Sequence, residues 1–327
     1  MYKAKNKIVI IGAGNVGEAV AYTLTIKQQA TDIVIIDIDE ARAEGCARDI
    51  YHGTAYFEQI RIRSGEYHEC ADADIIIITA GVSRRPGMTR LDLAKTNISV
   101  VKDISRKIMQ YANDPIVIVI SNPVDLLTYV VQQETGLPSG RVIGSGASLD
   151  TARFRHLLSE QCGVDVRDVN AYVIGEHGDS QVPIWSRVAI AGQPLDSYCK
   201  DNGNIQLDKE AISADVRDAG SQVIGMKGAT FYGIALTTSR IVECIFKDEN
   251  SIMSVSHVMT GEFGLRNIAI SLPCIINAGG VKQIVNIVPT DQEIADVVTS
   301  ARKLRDTFRE VMPNPRAADS QQQTAVQ

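Results

Sequence analysis

His177 lies in I-G-E-H-G-D-S (174–180), between a predicted strand and a glycine, in a loop-like setting. Imidazole titrates near neutrality and moves protons in either direction, although a single histidine more often packs or faces water. Three other features change its weight. Asp150 and Arg153, in S-L-D-T-A-R-F-R (148–155), stand three apart near a predicted helix start and share one helical face. Asn122, in S-N-P-V-D (121–125), follows an apolar run and falls at the C-terminal edge of a sheet, where open α/β sheets bind ligands. Residues 81–92 (G-V-S-R-R-P-G-M-T-R-L-D) hold Arg84, Arg85 and Arg90 in a Gly/Pro-punctuated stretch, for which a solvated basic loop is the plain alternative. A proton carrier accompanied by a carboxylate and arginines suits acid–base work on a small anion.

A second group of residues suits a nucleotide. G-A-G-N-V-G (12–17) follows the apolar run K-I-V-I-I-G (7–12), opens a helical pattern, and is succeeded by I-V-I-I-D (33–37). In that context Gly12 permits the tight turn, Gly14 lets the backbone approach a pyrophosphate, and Gly17 allows close helix–strand packing. The helix start faces the phosphate charge. Asp37 would accept hydrogen bonds from the adenosine ribose and would repel a 2′-phosphate, and no arginine follows in Ile38-Asp39-Glu40, so NAD is expected over NADP.

The elements that must hold these residues are strands at 7–12, 33–37, 74–79, 116–120 and near 141–144, with helices over 15–28 and 40–50 between them. Continuous β-branched runs alternating with helices indicate a parallel sheet covered on both faces. The predicted fold is α/β: a Rossmann doubly wound parallel sheet over 1–145, followed by an α+β substrate-binding, catalytic domain over 146–313. In the second part, a helix is expected at about 149–161 and a strand at 170–174. An antiparallel region is expected over 252–273 around Gly261–Gly264, with long helical patterns over 208–246 and 291–312. The tail 314–327 is polar and expected to fray. No linker separates the halves, so close packing is expected.

Composition removes other classes. The chain has 327 residues, 45% hydrophobic and 22% charged, with a formal charge of −6. This is ordinary globular usage, with no broad basic field for nucleic acid or an anionic membrane. No run of eighteen apolar residues and no signal peptide is visible. The six cysteines show neither C-x-x-C pairing nor a metal-like cluster, which suits reduced thiols in the cytoplasm and no metal site.

The motifs G-A-G-N-V-G, P-G-M-T-R-L-D-L, S-N-P-V-D, L-D-T-A-R-F-R and G-E-H-G-D-S occur in the order and spacing of the L-lactate/malate dehydrogenase family, which the chain resembles over roughly residues 5–313. The resemblance implies that His177 exchanges a proton with the substrate C2 oxygen and that Asp150 orients and stabilises the imidazolium. It implies that Arg153 grips the C1 carboxylate, that Arg90 arrives with a closing lid (81–92) to polarise the ketone, and that Asn122 contacts substrate or nicotinamide. Thr230, in K-G-A-T-F-Y-G, would join the substrate site. Cofactor contacts would come from Gly12, Gly14, Asn15, Val16, Gly17, Asp37, Thr79, Ala80, Gly81, Asn97, Ser121 and Asn122. His52, His68, His156 and His257 are read as structural or surface residues.

The choice of 2-hydroxy acid pulls two ways. In this family a lid position, here Arg84, selects the side chain, and arginine there suits the second carboxylate of oxaloacetate; Met88 also resembles malate-type relatives. G-E-H-G-D-S, P-I-W (183–185), Thr230 and L-T-T-S-R-I-V-E-C-I-F resemble lactate-type relatives. Pyruvate and L-lactate are the expected pair, with oxaloacetate and malate as the alternative, and a non-catalytic NAD-binding protein more remote. That last class has no need of Arg90, Asn122, Asp150, Arg153 and His177 together. Arg155 matches an arginine that binds fructose 1,6-bisphosphate in many bacterial relatives, but Asn170 replaces the partner histidine, which argues against that activation. The resemblance implies a homotetramer, or else a dimer.

Overall fold

The computed structural model describes residues 6–56, 59–82 and 88–312, with the backbone alone at Arg90. The apolar runs become β1 (Lys7–Ile11), β2 (Asp32–Ile36), β4 (Ile75–Ile78) and β5 (Ile116–Val119), every residue of them buried. With β3 (Arg61–Ser64) and β6 (Val142–Gly144) they pair in parallel in the order β3-β2-β1-β4-β5-β6. Alternation sends their side chains to two layers. Ile8, Ile10, Ile33 and Ile35 pack with Val20 and Leu24 of α1 (Asn15–Ile26) and Ile50 of α2 (Glu40–Gly53). Val9, Ile11, Val34 and Ile76 pack with Val101 and Ile104 of α3 (Arg90–Met109) and Leu127 of α4 (Val124–Thr135). This is the doubly wound sheet expected, buried on both faces because helices cover both. β3 was not anticipated. Its sequence R-I-R-S places one fully buried residue, Ile62, between charged neighbours, as an edge strand allows.

The second half opens with α5 (Ser148–Cys162), which a left-handed Gly163 ends. The expected strand 170–174 is divided. β7 (Val169–Asn170) joins β10 (Ala189–Ile190) and β11 (Gln193–Pro194), whereas β8 (Val173–Ile174) pairs with β9 (Val182–Pro183). After the short α6 (Leu195–Asp201), the continuous helical pattern over 208–246 is corrected to two helices. α7 (Lys209–Lys227) stops where Gly228 takes φ +82°, and α8 (Tyr232–Phe246) then docks beside α1. An uninterrupted helix would carry α8 away from that seat.

β12 (Ser251–Thr260) and β13 (Arg266–Asn277) form the expected antiparallel pair, turning at 261–264, and β14 (Gly280–Ile284) adds a third strand. β12 also pairs with β6, opposing Ser256 to Gly144, so one nine-stranded mixed sheet runs through both halves. A side chain at 144 would strike Ser256 and Thr128, which is why the junction takes glycine. α4 lies under this junction, and Val124 to Val131 are all buried. α9 (Asp291–Val311) closes the fold behind a Thr290/Glu293 capping box. Among the described residues no helix is long and apolar enough to cross a membrane.

Candidate active site

The glycine-rich turn after β1 sits at the switch point between β1 and β4. Gly12 has φ +115°, and a Cβ there would lie 2.6 Å from Ala80 N and Thr79 Oγ1. A Cβ on Gly17 would lie 1.8 Å from the Gly12 carbonyl oxygen. Those two glycines are required by packing. Gly14 is different: nothing stands within 4 Å of its missing Cβ, and as N-cap of α1 it gives the first turn no side-chain cap. The amides of Asn15, Val16 and Gly17 therefore open onto free space, which suits a pyrophosphate. Asp37, just past β2, accepts from Ala13 N at 2.6 Å and Asp39 N at 2.9 Å, tying the turn to the end of β2. Beside it a cavity of about 480 Å³ is lined by Asp37, Glu40, Ser64, Glu66 and Tyr67. Three carboxylates around that space, against Lys107, whose amine pairs with Asp103, fit a ribose diol and oppose an added phosphate, so the residues present fit NAD.

Other expected cofactor residues act here as braces. Thr79 donates to Gly12 O at 2.9 Å, and Ser121 donates to Ala80 O at 2.6 Å. Asn97, 2% exposed on α3, accepts from Val82 N at 2.8 Å and donates to Val82 O at 3.2 Å and Asn122 O at 2.7 Å. It clasps the segment after β4 to the S-N-P turn. The Asn122 side chain is exposed at the C-terminal edge, and its Oδ1 accepts from Val124 N.

The candidate proton-transfer group comes from two elements, α5 and the loop after β8. His177 Nδ1 is 2.6 Å from Asp150 Oδ2, and Arg153 Nη1 donates to Asp150 Oδ1 at 2.9 Å. Asp150 is 3% exposed, Arg153 18% and His177 28%, so the carboxylate is sealed behind two groups that still reach the cleft. Gly220 of α7 lies beside the guanidinium: a Cβ there would stand 3.8 Å from both of its terminal nitrogens, in ordinary contact. Burial opposes the imidazolium, but the Asp150 charge and hydrogen bond outweigh it, with Asp125 adding to them, and the His177 pKa is raised to about 9. Burial likewise opposes charge on Asp150, yet His177 and Arg153 hold its pKa below the ordinary value. The ring thus keeps its proton at neutral pH, with Nδ1 tied back and Nε2 left for chemistry.

The loop carrying His177 is pinned from behind. Gly175 exchanges both backbone hydrogen bonds with Ser271, at 3.0 and 2.9 Å. Ser300 of α9 accepts from Glu176 N at 2.9 Å, and Ser180 donates to the Glu176 carboxylate. Sequence reasoning missed Asp125, whose Oδ2 accepts from His177 N at 2.7 Å. Its place in S-N-P-V-D, one turn after Asn122, was the available signal.

Arg84, with Arg85, lies outside the described residues, as does the side chain of Arg90, whose backbone opens α3 after a Thr89/Asp92 capping box. Thr230 stands in the turn between α7 and α8, partly buried. Arg155 donates to Ala171 O at 2.9 Å and stacks over Tyr172 in a cavity shared with His156, Arg167 and Arg240, while Asn170 is exposed on β7.

Known proteins resemble this arrangement along nearly the whole chain. The model of the lactate/malate dehydrogenase NAD-binding domain matches residues 6–144, and that of the lactate/malate dehydrogenase alpha/beta C-terminal domain matches residues 147–313. An L-lactate dehydrogenase of Thermoanaerobacter sp. (strain X514) is 46% identical over 308 residues, 94% of this chain and 99% of that protein. One from Acetivibrio thermocellus is 44% identical over 94% of this chain and 98% of its own length. The crystal structure of the minor L-lactate dehydrogenase from Enterococcus mundtii, in its ligands-bound form, superimposes with a TM-score of 0.91 at 39% identity, covering 94% of this chain and 99% of that one.

Proposed function

Because the chain belongs to the lactate/malate dehydrogenase family, we propose that it is an NAD-dependent L-lactate dehydrogenase interconverting pyruvate and L-lactate. The observation that carries the chemistry is the His177–Asp150 contact of 2.6 Å with Arg153 on the same carboxylate. Arg153 engages Asp150 through Nη1 and would hold the carboxylate of the 2-oxo acid as a charged pair. His177 then gives its Nε2 proton to the ketone oxygen as charge develops there, and takes it back in the reverse direction. Asp150 stays ionised throughout and stabilises the imidazolium before transfer. Arg90 polarises the same ketone from the start of α3. Bound NADH supplies the hydride; the protein supplies orientation and the proton.

The relatives named L-lactate dehydrogenase favour pyruvate, and Arg84 favours oxaloacetate. The test is NADH oxidation by purified protein, comparing kcat/KM for the two acids in the wild type and in Arg84→Gln. We expect pyruvate to be preferred and Arg84→Gln to widen that preference about tenfold, the order of effect of one unpaired charge in a closed pocket. A wild-type preference for oxaloacetate overturns the lactate assignment and gives the malate reaction to this scaffold.

The working form we propose is a homotetramer in the cytoplasm, with a dimer as the lesser assembly. Tyr22 and Ile26 of α1 and Tyr232 and Leu236 of α8 are each about half exposed, an apolar face that suits contact with another copy. Light scattering on the purified protein checks it.

A further inference from the structure

Asp125 stands apart from the other polar groups around the site. It is 2% exposed in the first turn of α4, and its Oδ2 holds the His177 backbone N–H across fifty-two residues of sequence. Its Oδ1 is buried and has no hydrogen-bond partner among the described residues, and Ser256 Oγ of β12 lies alongside outside hydrogen-bonding geometry. An asparagine would accept the same backbone hydrogen bond without placing an anion in a buried site. Anchorage alone therefore does not account for a carboxylate. What the charge adds is a field at the imidazolium, which otherwise faces Asp150 and Arg153 of α5.

We propose that Asp125 is a positioning residue for proton transfer: it fixes the His177 main chain to the helix start that follows Asn122, and its negative charge steadies the imidazolium. The inference rests on His177 being the proton donor. The ring is then held twice, at Nδ1 by Asp150 and at its own backbone by Asp125, so both the direction of Nε2 and its distance from the Asn122 edge are set. The groups facing Asp125 are His177 and Glu176 of the donor loop, with Tyr129 of α4 and Arg305 of α9 around a small adjoining cavity. Burial raises the Asp125 carboxyl to about 6, with Glu176 adding to it, while the neighbouring Ser256 hydroxyl and then the contacts with His177 resist that rise. It is ionised at neutral pH and unloads as the solution becomes acidic. Because its folded pKa lies above the ordinary value of 3.8, its ionisation weakens the fold as pH rises through that interval. Removing the charge while keeping the hydrogen bond should leave stability unchanged or improved.

Asp125→Asn and Asp125→Ala are compared with wild type by the pH profile of kcat/KM for pyruvate reduction, by kcat at pH 7, by NADH affinity from fluorescence, and by thermal midpoint. In Asp125→Asn the alkaline limb should move down by about half to one pH unit, the order expected for one nearby charge. NADH affinity should stay within about twofold, and the thermal midpoint should not fall. Asp125→Ala should lose kcat by on the order of tenfold or more through misplacement of His177, with Asp125→Asn restoring most of it. An Asp125→Asn profile superimposable on wild type overturns the proposal, as does an Asp125→Ala enzyme with wild-type kcat. Should the alanine variant fail to fold, the asparagine profile decides alone. His177→Asn is run in parallel. If it still turns over pyruvate, the donor reading falls and takes this inference with it; if it is inactive while Asp125→Asn behaves as wild type, only this inference falls.

Discussion

The two ends of the parallel sheet both bury charge, and they use it differently. At the N-terminal end of the strands, Lys7 is 3% exposed and its Nζ reaches Glu69 at 2.8 Å and Asp72 as well, while its backbone N–H donates to Asp74. Arg63 of β3 holds Glu69 through two amino groups and lies 3.4 Å from Asp32. Each cation has more than one anion, and the shifts agree. Hydrogen bonds from Arg63 lead in holding Glu69 down to about 2, although burial opposes this, and Lys7 is raised against its own burial. At the C-terminal end, His177 and Arg153 share Asp150, and Asp125 faces the histidine with one oxygen unsatisfied. Asp32 Oδ1 and Arg63 Nε are buried without partners among the described residues as well, so the two ends differ in kind rather than in completeness: lysine and arginine keep their protons near neutrality, whereas an imidazole can pass one to a substrate.

Substitutions can break that contrast. The largest effect belongs to the donor pair. His177→Asn and Asp150→Asn should lower kcat by about 10²–10⁴-fold, with NADH affinity within about twofold, measured by steady-state kinetics and fluorescence titration. Lys7→Met should do the reverse. Leaving the Glu69 and Asp72 carboxylates short of a cation should remove roughly 2–4 kcal/mol from unfolding free energy, less than for a fully enclosed pair because Asp72 faces water. Below the unfolding transition its kcat should remain near wild type. If Lys7→Met lowers kcat as much as stability, the two ends are coupled and the contrast fails.

The smallest and most diagnostic effect is in pH. With His177 raised to about 9, pyruvate reduction should be flat through neutrality and fall about tenfold per unit above 9, while L-lactate oxidation rises over the same interval. The stability contribution has the same sign. A histidine pKa raised above its unfolded 6.5 adds stability that is complete below 6.5 and lost as pH rises through about 9. Denaturation midpoints at pH 6, 8 and 10 read it directly.

What was legible in the sequence follows from how locally each feature is determined. β1, β2, β4 and β5 carry continuous apolar runs, and Gly12, Gly14 and Gly17 follow directly on β1, so that half could be read from short windows. β3 could not, since its register depends on β2 and its outward residues are charged. The break between α7 and α8 depends on one left-handed glycine in a pattern that otherwise continues. Asp150 and Arg153 were visible as neighbours on one helix turn. Asp125, Ser300 and Ser271 meet the histidine loop across fifty to more than a hundred residues of chain, and no periodicity announces such meetings.

The seam where β12 lies against β6 also decides what can be taken apart. Val124 to Val131 of α4 are all buried because α3 and the strands of both halves close over them. A fragment ending at residue 145 would carry the whole nucleotide cradle, yet it would turn Leu126, Tyr129 and Val130 toward water and leave β6 as an unprotected edge. Such a piece would stick to itself before it bound anything. The nucleotide-binding half of this protein is therefore not a portable module, and a graft or chimera should be cut outside α4 and β12 together, never between them.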